Sequence, residues 1–298
     1  MAKIGLVTVL FNSDKVLQGF IESLVKQIFT DYHLYLIDNT SNSTTDELLH
    51  KLVTENRITN YTHIKNEKNV GVAKGNNQGI ELSIKEGSTY TLILNNDIEF
   101  TQPNLLSDML AYAEDNNEPI IIPKIYFYDT KKVWMAGGKF LMYKGSTIHV
   151  GEGHDDSAAY SREAYFKYAP TCFMLLSNEV FERVGMMDEK YFVYYDDTDF
   201  MYRAYQNGFK VKLLPQLHVY HKVSALTGGT ESLFSIYYGT RNRVYFIGKN
   251  LTGLPYAISM LFTITTRFIK YLRFNMQQRK ELIKGLDAGF KLLKHVNQ

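Results

Sequence analysis

Four short strand-like runs recur along residues 1–100, and the first three are each followed by a segment that reads as a helix. The runs are Ile4–Leu10 (IGLVTVL), His33–Ile37 (HLYLI), Tyr61–Lys65 and Tyr90–Leu94 (YTLIL). The first is β-rich and apolar on both faces, as a strand covered by helices on both sides must be. Between the runs, residues 14–28 place Val16, Leu17, Phe20, Leu24 and Ile28 on one helical face, and residues 44–57 and 71–86 read as further helices. Alternation of this kind predicts a parallel α/β sheet. Ligands on such sheets sit beyond the carboxyl ends of the strands. Asp38 and Asp97 stand at two of those ends.

The rest of the chain is less regular. Residues 120–170 are β-rich and punctuated by Gly137, Gly138, Gly145, Gly151 and Gly153. A short strand over Cys172–Leu176 leads to a helix near 178–184. Another helix runs from about 198 to 207 and stops at Gly208, a typical C-terminal glycine. VKLLP (211–215) is a further strand, and beyond 222 the chain is helical and increasingly basic. The opening MAKIGLVTVLFN reads as a buried strand rather than a signal peptide, because its apolar run is short and no small-residue cleavage site follows. No stretch has the roughly 18 uninterrupted apolar residues of a membrane span. The single cysteine, Cys172, excludes an internal disulfide framework and fits a reducing compartment. A net charge of +2 argues neither for nor against nucleic acid.

Several polar clusters could carry chemistry. Asp38 can accept hydrogen bonds from a base or ribose, or cap the following helix. In NVGVAKGNNQGI (69–80) the glycines allow close approach to a ligand or simply a close-packed helix; the pattern is neither G-x-G-x-x-G nor a Walker loop. In LILNNDIEF (92–100) a buried strand ends on Asn95, Asn96 and Asp97. Oxygen ligands at a strand end suit Mg²⁺ or Mn²⁺ bridging phosphates, and a plain turn is the alternative. His218 and His221 lie three apart, so on an extended segment they face opposite sides and at most one enters a site. In FVYYDDTDF (192–200), Asp196, Asp197 and Asp199 follow an aromatic run. Such carboxylates repel one another and cost free energy to desolvate. They serve either as a general base with its neighbours or as a helix cap.

Taken together, VTVLFN (7–12), LIDN (36–39), NVGVAKGNNQGI (69–80), LNND (94–97), WMAGG (134–138), the block 181–209, VYH (219–221) and YYGTRNRVYF (237–246) resemble the inverting family 2 glycosyltransferases. The bacterial branch with rhamnosyltransferases and galactofuranosyltransferases is the most similar, and the resemblance covers most of residues 3–250. It implies a GT-A fold: a Rossmann-like, mainly parallel sheet flanked by helices, here with a basic helical C-terminal extension. The implied division is a catalytic domain over 1–222, its nucleotide-binding part about 1–100 and its acceptor part about 101–222, followed by 223–298. By position, the resemblance implies nucleotide contacts at Thr8, Phe11, Asn12, Asp38, Asn69, Gly71, Asn77 and Asn96. It implies a Mn²⁺ or Mg²⁺ site at Asp97, with Asn95 in a position that is usually acidic and His221 completing the shell. Asp197 corresponds to the catalytic base. Asp196, Asp199, Trp134, Thr171 and Cys172 fall to the acceptor side. Thr171-Cys172 stands where relatives often have Gly-Ala, which alters the acceptor pocket.

The implied activity is inverting transfer from a nucleotide diphosphate sugar, dTDP-L-rhamnose first and a UDP-hexose or UDP-galactofuranose second. The acceptor would be a saccharide or lipid-linked saccharide of cell-surface polysaccharide synthesis. No nucleic acid partner is expected. A sugar-1-phosphate nucleotidyltransferase would carry a glycine-rich loop where this chain has FNSDKV. A non-catalytic saccharide-binding scaffold would not need Asp97, Asp197 and His221 together. Residues 249–298 hold nine Lys or Arg against two Asp or Glu, a formal +7, leaving −5 for the rest. Within them Phe268, Tyr271 and Leu272 share a helical face, with Arg267, Lys270 and Arg273 recurring among them. Such a helix suits an anionic membrane surface, at the cytoplasmic face of the cell membrane, or a homodimer contact.

Overall fold

The computed structural model describes residues 3–40, 43–223 and 231–294. Strands β1 (Ile4–Leu10), β2 (Tyr32–Asp38), β3 (Tyr61–Lys65) and β4 (Tyr90–Leu94) alternate with helices α1 (Leu17–Val25), α2 (Thr44–Glu55) and α3 (Val72–Lys85). They pair in parallel in the order β4-β1-β2-β3. Helix α1 is shorter than the apolar spacing suggests. It ends at Val25, and Ile28, expected on its inner face, is exposed.

Helix α3 lies close on β1 because two of its residues lack a Cβ. A methyl at Gly75 would meet Val9 at 2.8 Å, and one at Gly79 would meet Val7 at 2.4 Å. Gly75 and Gly79 therefore serve helix–sheet packing.

Beyond β4 come β5 (Ile98–Glu99), α4 (Leu105–Asn116), β6 (Ile120–Phe127), β7 (Val133–Met135), β8 (Gly138–Leu141), β9 (Ser146–His149), β10 (Ala164–Phe166) and β11 (Phe173–Ser177). Helix α4 was not anticipated, although Leu105, Leu106, Met109, Leu110 and Ala113 give it a regular buried stripe. Strand β11 runs antiparallel between β4 and β6 and joins the parallel sheet to a second half, β6-β12-β10. Helices α5 (Asn178–Val184) and α6 (Asp196–Gln206) precede β12 (Val211–His221). β12 is twice the expected length. It continues through Pro215 because a register shift between Leu214 and His218 absorbs the proline.

The C-terminal helices are α7 (Leu233–Asn250), α8 (Gly253–Arg273) and α9 (Met276–Lys294). Tyr245, Phe246, Ile247 and Leu251 of the α7 end pack with Tyr191, while α9 lies along α7. Helix α8 is amphipathic in an inverted sense. Its buried residues are Ser259 and Thr263, while Leu254, Ile258, Leu261, Ile264, Phe268, Ile269 and Leu272 are exposed. Arg267, expected among the exposed basic residues, turns inward and donates to Thr240 Oγ1 at 3.1 Å. Among the described residues no helix is long and apolar enough to cross a membrane.

Candidate active site

The polar cluster after β4 is held against the end of β1. Asn96 Nδ2 donates to Val9 O at 2.8 Å and to Ser13 Oγ at 2.9 Å. This fixes the direction of the next residue, Asp97. β5 then pairs antiparallel with the end of β12, Ile98 opposite His221, and Lys222 N donates to Asp97 O at 3.0 Å. The pairing brings together two residues far apart in sequence: His221 Nε2 lies 3.2 Å from Asp97 Oδ1. Both side chains are buried, and neither Asp97 Oδ1 nor His221 Nδ1 makes a hydrogen bond. The imidazole is the nearest partner of the carboxylate oxygen, and together they are donors that a divalent cation can use. Asn95 is exposed at the same turn. His218 faces the other side, its ring 5.6 Å from those of Tyr126 and Tyr220.

A wall of rings leads from this pair to the acidic stretch. The Trp134 ring sits 4.6 Å from His221 and 4.4 Å from His149. His149 stacks 6.2 Å from Tyr168, whose hydroxyl donates to Asp197 Oδ2 at 2.7 Å. Burial, then the neighbouring His221, push His149 down to about 4, so it is neutral at neutral pH. Cys172 lies between the two carboxylates: burial, then the charges of Asp97 and Asp197, raise its thiol well above the usual range. Thr171 and Cys172 are both nearly buried and shape this wall. Tyr168 and His149 carried no recognisable sequence signal. Each is a lone residue in an irregular β segment.

Asp197 is presented by a strained loop. Phe192, Tyr194 and Tyr195 all have φ between 60° and 68°, a region that costs non-glycine residues about 1–3 kcal/mol each. The YYGTRNRVYF segment on α7 holds them. Asn242 Nδ2 donates to the carbonyls of Tyr191 (2.9 Å), Val193 (2.6 Å) and Tyr194 (2.9 Å). Arg241 adds bonds to the carbonyls of Lys190 and Tyr191. From the other side Val72 N donates to Phe192 O at 2.5 Å, a contact that a Cβ on Gly71 (φ 89°) would block. Helix α6 then begins at Asp196. Asp197 Oδ1 accepts from Thr198 N (2.6 Å) and Thr198 Oγ1 (3.2 Å). Burial, then the Asp197 charge, push Asp196 up to about 7. Burial raises Asp197 as well, against the lowering bonds from Tyr168 and Thr198. A carboxylate with a raised pKa is suited to take a proton.

Several of the expected site residues are bonded within the frame, Asp199 among them. It is fully buried and accepts from Tyr191 (3.1 Å), Arg203 (2.9 Å), Lys249 (2.9 Å) and Asn250 (2.9 Å), tying α6 to α7. Asn77 is a strut: its amide exchanges hydrogen bonds with the Met187 backbone at 2.9 and 3.0 Å. Asn96, Asn69 and Gly71 likewise serve the frame, with Asn69 Oδ1 accepting from Gly71 N at 2.9 Å. Asp38 is fully buried and locks its turn by accepting from Thr40 N at 2.7 Å. Burial works to raise its pKa, but His63 and Thr40 outweigh that and hold it below the usual carboxylate range. Asn12, at φ 49°, is fixed by its N–H to Thr40 Oγ1. Of the expected nucleotide-side residues, Phe11 remains exposed, and the Thr8 hydroxyl is buried without a partner.

Residues 6–184 match the profile of Glycosyl transferase family 2. The chain belongs to that family. Family 2 relatives include "dTDP-rhamnosyl transferase RfbF" of Shigella flexneri, 25% identical over 95% of this chain and 96% of that one. "Glycosyltransferase GlyG" of Streptococcus pneumoniae is 22% identical over 91% and 86%. "Low-salt glycan biosynthesis hexosyltransferase Agl10" of Haloferax volcanii is 25% identical over 63% and 60%. Among solved structures, S. aureus TarS residues 1–349 superpose with a TM-score of 0.61 at 15% identity, covering 99% of this chain and 82% of that one. A longer TarS chain is spanned over 50% of its length. The sheet, its flanking helices and the C-terminal helical region are those of a family 2 GT-A glycosyltransferase.

Proposed function

We infer that this glycosyltransferase inverts the anomeric carbon of a nucleotide diphosphate sugar, with Asp197 as general base. The observation that carries the reading is the buried Asp97–His221 couple joined by one wall of side chains to a buried, raised-pKa Asp197. Asp97 and His221, with the Asn95 amide nearby, would hold Mg²⁺ or Mn²⁺, which supplies charge stabilisation for a leaving diphosphate. Asp197 takes the proton of an acceptor hydroxyl as its oxygen attacks the sugar carbon. The bond to the diphosphate breaks on the opposite face, which inverts the centre. A positioned base of this kind contributes roughly 10²–10⁴-fold. Tyr168 aims the Asp197 carboxylate, and Trp134, Thr171 and Cys172 bound the acceptor side. Phe11 and the turn fixed by Asn12 and Asp38 bound the nucleotide side.

dTDP-L-rhamnose is the favoured donor, supported by similarity to the Shigella transferase over almost all of both chains. A UDP-sugar is the second reading, supported by the fold shared with TarS, solved with UDP-GlcNAc. Residues 1–222 form the catalytic part and 223–298 its extension. The exposed apolar stripe of α8, flanked by Lys270 and Arg273, is wider than a two-residue seam and suits the surface of an anionic membrane carrying a lipid-linked acceptor. A nucleotide-sugar panel with Mn²⁺ or Mg²⁺, read by thermal shift and then by transfer, tests the reading. Asp97→Ala is expected to abolish metal-dependent tightening of the donor, and His221→Ala to weaken it less. His218→Ala leaves it intact. Loss of metal dependence in His218→Ala alone would refute the assignment.

A further inference from the structure

A second set of donor atoms converges beside the end of β2. Asp46 and His50 are four residues apart on α2 and so share a helix face. His63 stands on β3, opposite Leu36 of β2. Asp46 Oδ1 is 3.5 Å from His50 Nε2 and 3.7 Å from His63 Nδ1, and one ligand atom from each residue lies within 4.8 Å of the other two. Ligands bonded at about 2.0–2.2 Å around a tetrahedral ion sit about 3.3–3.5 Å from one another, so small rotamer shifts would close the set.

An independent observation points the same way. The other nitrogen of His63, Nε2, lies 3.6 Å from Asp38 Oδ2. Asp38 is fully buried, and neither of these two atoms makes a hydrogen bond. A metal on His63 Nδ1 would fix the tautomer with its proton on Nε2, aimed at Asp38 Oδ2. Metal-bound histidines are commonly oriented by a carboxylate in this way. Lys65 Nζ is 2.8 Å from Asp46, but on Oδ2, which leaves Oδ1 turned to the two imidazoles.

We propose that Asp46, His50 and His63 form a three-ligand site for a Zn²⁺-class cation, separate from the Asp97–His221 site and backed by Asp38. Two imidazoles and one carboxylate select Zn²⁺ or Co²⁺ over Mg²⁺, whereas the oxygen-rich turn at Asp97 suits the harder ion.

The test uses the full, untagged chain carrying Asp97→Ala, so that the other site does not compete. Zn²⁺ is titrated by calorimetry and Co²⁺ by visible absorption. One ion per chain is expected, with d–d bands of low coordination number for Co²⁺. Adding His50→Gln, an exposed change that keeps the helix, should raise Kd at least about tenfold. Adding Lys65→Met should lower Kd, because it removes the cation competing for Asp46. Failure to bind, or a Kd indifferent to His50→Gln, overturns the site. A Kd raised by Lys65→Met overturns the ligand geometry. All of these outcomes leave the donor-transfer reading untouched, because Asp97 is absent throughout.

Discussion

Asn242→Ala tests how the base is held. The Asn242 amide has two protons and serves three carbonyls of the 191–194 loop, at 2.6–2.9 Å. Each net hydrogen bond is worth about 1 kcal/mol, and a buried carbonyl left unpaired costs about 1–3 kcal/mol. Asn242 is fully buried, so water does not replace the lost donors without opening the packing. The sum is about 3–4 kcal/mol of stability. In a chain of this size class each kcal/mol lowers Tm by about 2–4 °C, so the expected fall is roughly 6–16 °C. Activity should suffer more than the fold. Phe192, Tyr194 and Tyr195 sit in left-handed conformations that persist only while the surroundings impose them. Once released, the loop displaces Asp197, and a misplacement of about 1 Å costs on the order of 10²-fold in rate. Calorimetry together with initial rates at saturating donor measures both. Donor affinity should hold, because the loop is not part of the Asp97 turn. Asn242→Asp should be at least as damaging, since it sets an oxygen against three carbonyl oxygens. An Asn242→Ala protein with unchanged Tm and unchanged kcat would refute the reasoning.

Three further outcomes follow from the geometry. Asp197→Asn keeps the size of the side chain but removes the base, so transfer should fall at least about 10²-fold with donor affinity nearly constant; near-normal transfer would move the role to Asp196. The acid limb of kcat/KM should lie above pH 4, because burial raises Asp197. A base works deprotonated, so activity is lost as pH falls through the raised Asp197, and Asp196→Asn should leave that limb nearly in place, because Asp196, pushed up to about 7, is still protonated and uncharged there; an acid limb near pH 4 in the unmodified enzyme would contradict this. The protein should float with anionic vesicles, less so at high salt because its basic charges are screened, and Leu261→Asp with Phe268→Asp should abolish flotation. Absence of flotation, with a dimer that the same pair of changes splits, would make α8 a subunit contact.

β1 and β4 were legible because parallel strands buried on both faces leave uninterrupted apolar runs, β2 and the half-buried β3 followed from the alternation with helices, and Asp38 and Asp97 followed from where strands end. What stayed hidden depends on contacts between distant segments. Asp197 and Asp199 look alike in FVYYDDTDF. Only the positions of Arg203, Lys249 and Asn250 show that Asp199 is spent on an ion-paired brace. The resemblance puts Asn77 and Asn96 beside the nucleotide by position, and position does not show that their amides are bonded to Met187, Val9 and Ser13. β12 was cut short at Pro215 because the bulge that accommodates a proline depends on the register with β6. The inward turn of Arg267 could not be read either, since α8 buries small polar residues and leaves its large apolar ones outside.

The pairing of β5 with the last turn of β12 has a consequence for how the protein comes into being. Asp97 leaves the ribosome with the first third of the chain, yet its partner His221 emerges more than a hundred residues later. The Asn242 brace that shapes the Asp197 loop follows later still. On the proposed roles of Asp97 and Asp197, a nascent chain that already holds all of β1 through β4 still lacks both the partner of Asp97 and the brace of the Asp197 loop, and a message cut before Asn242 encodes no braced base.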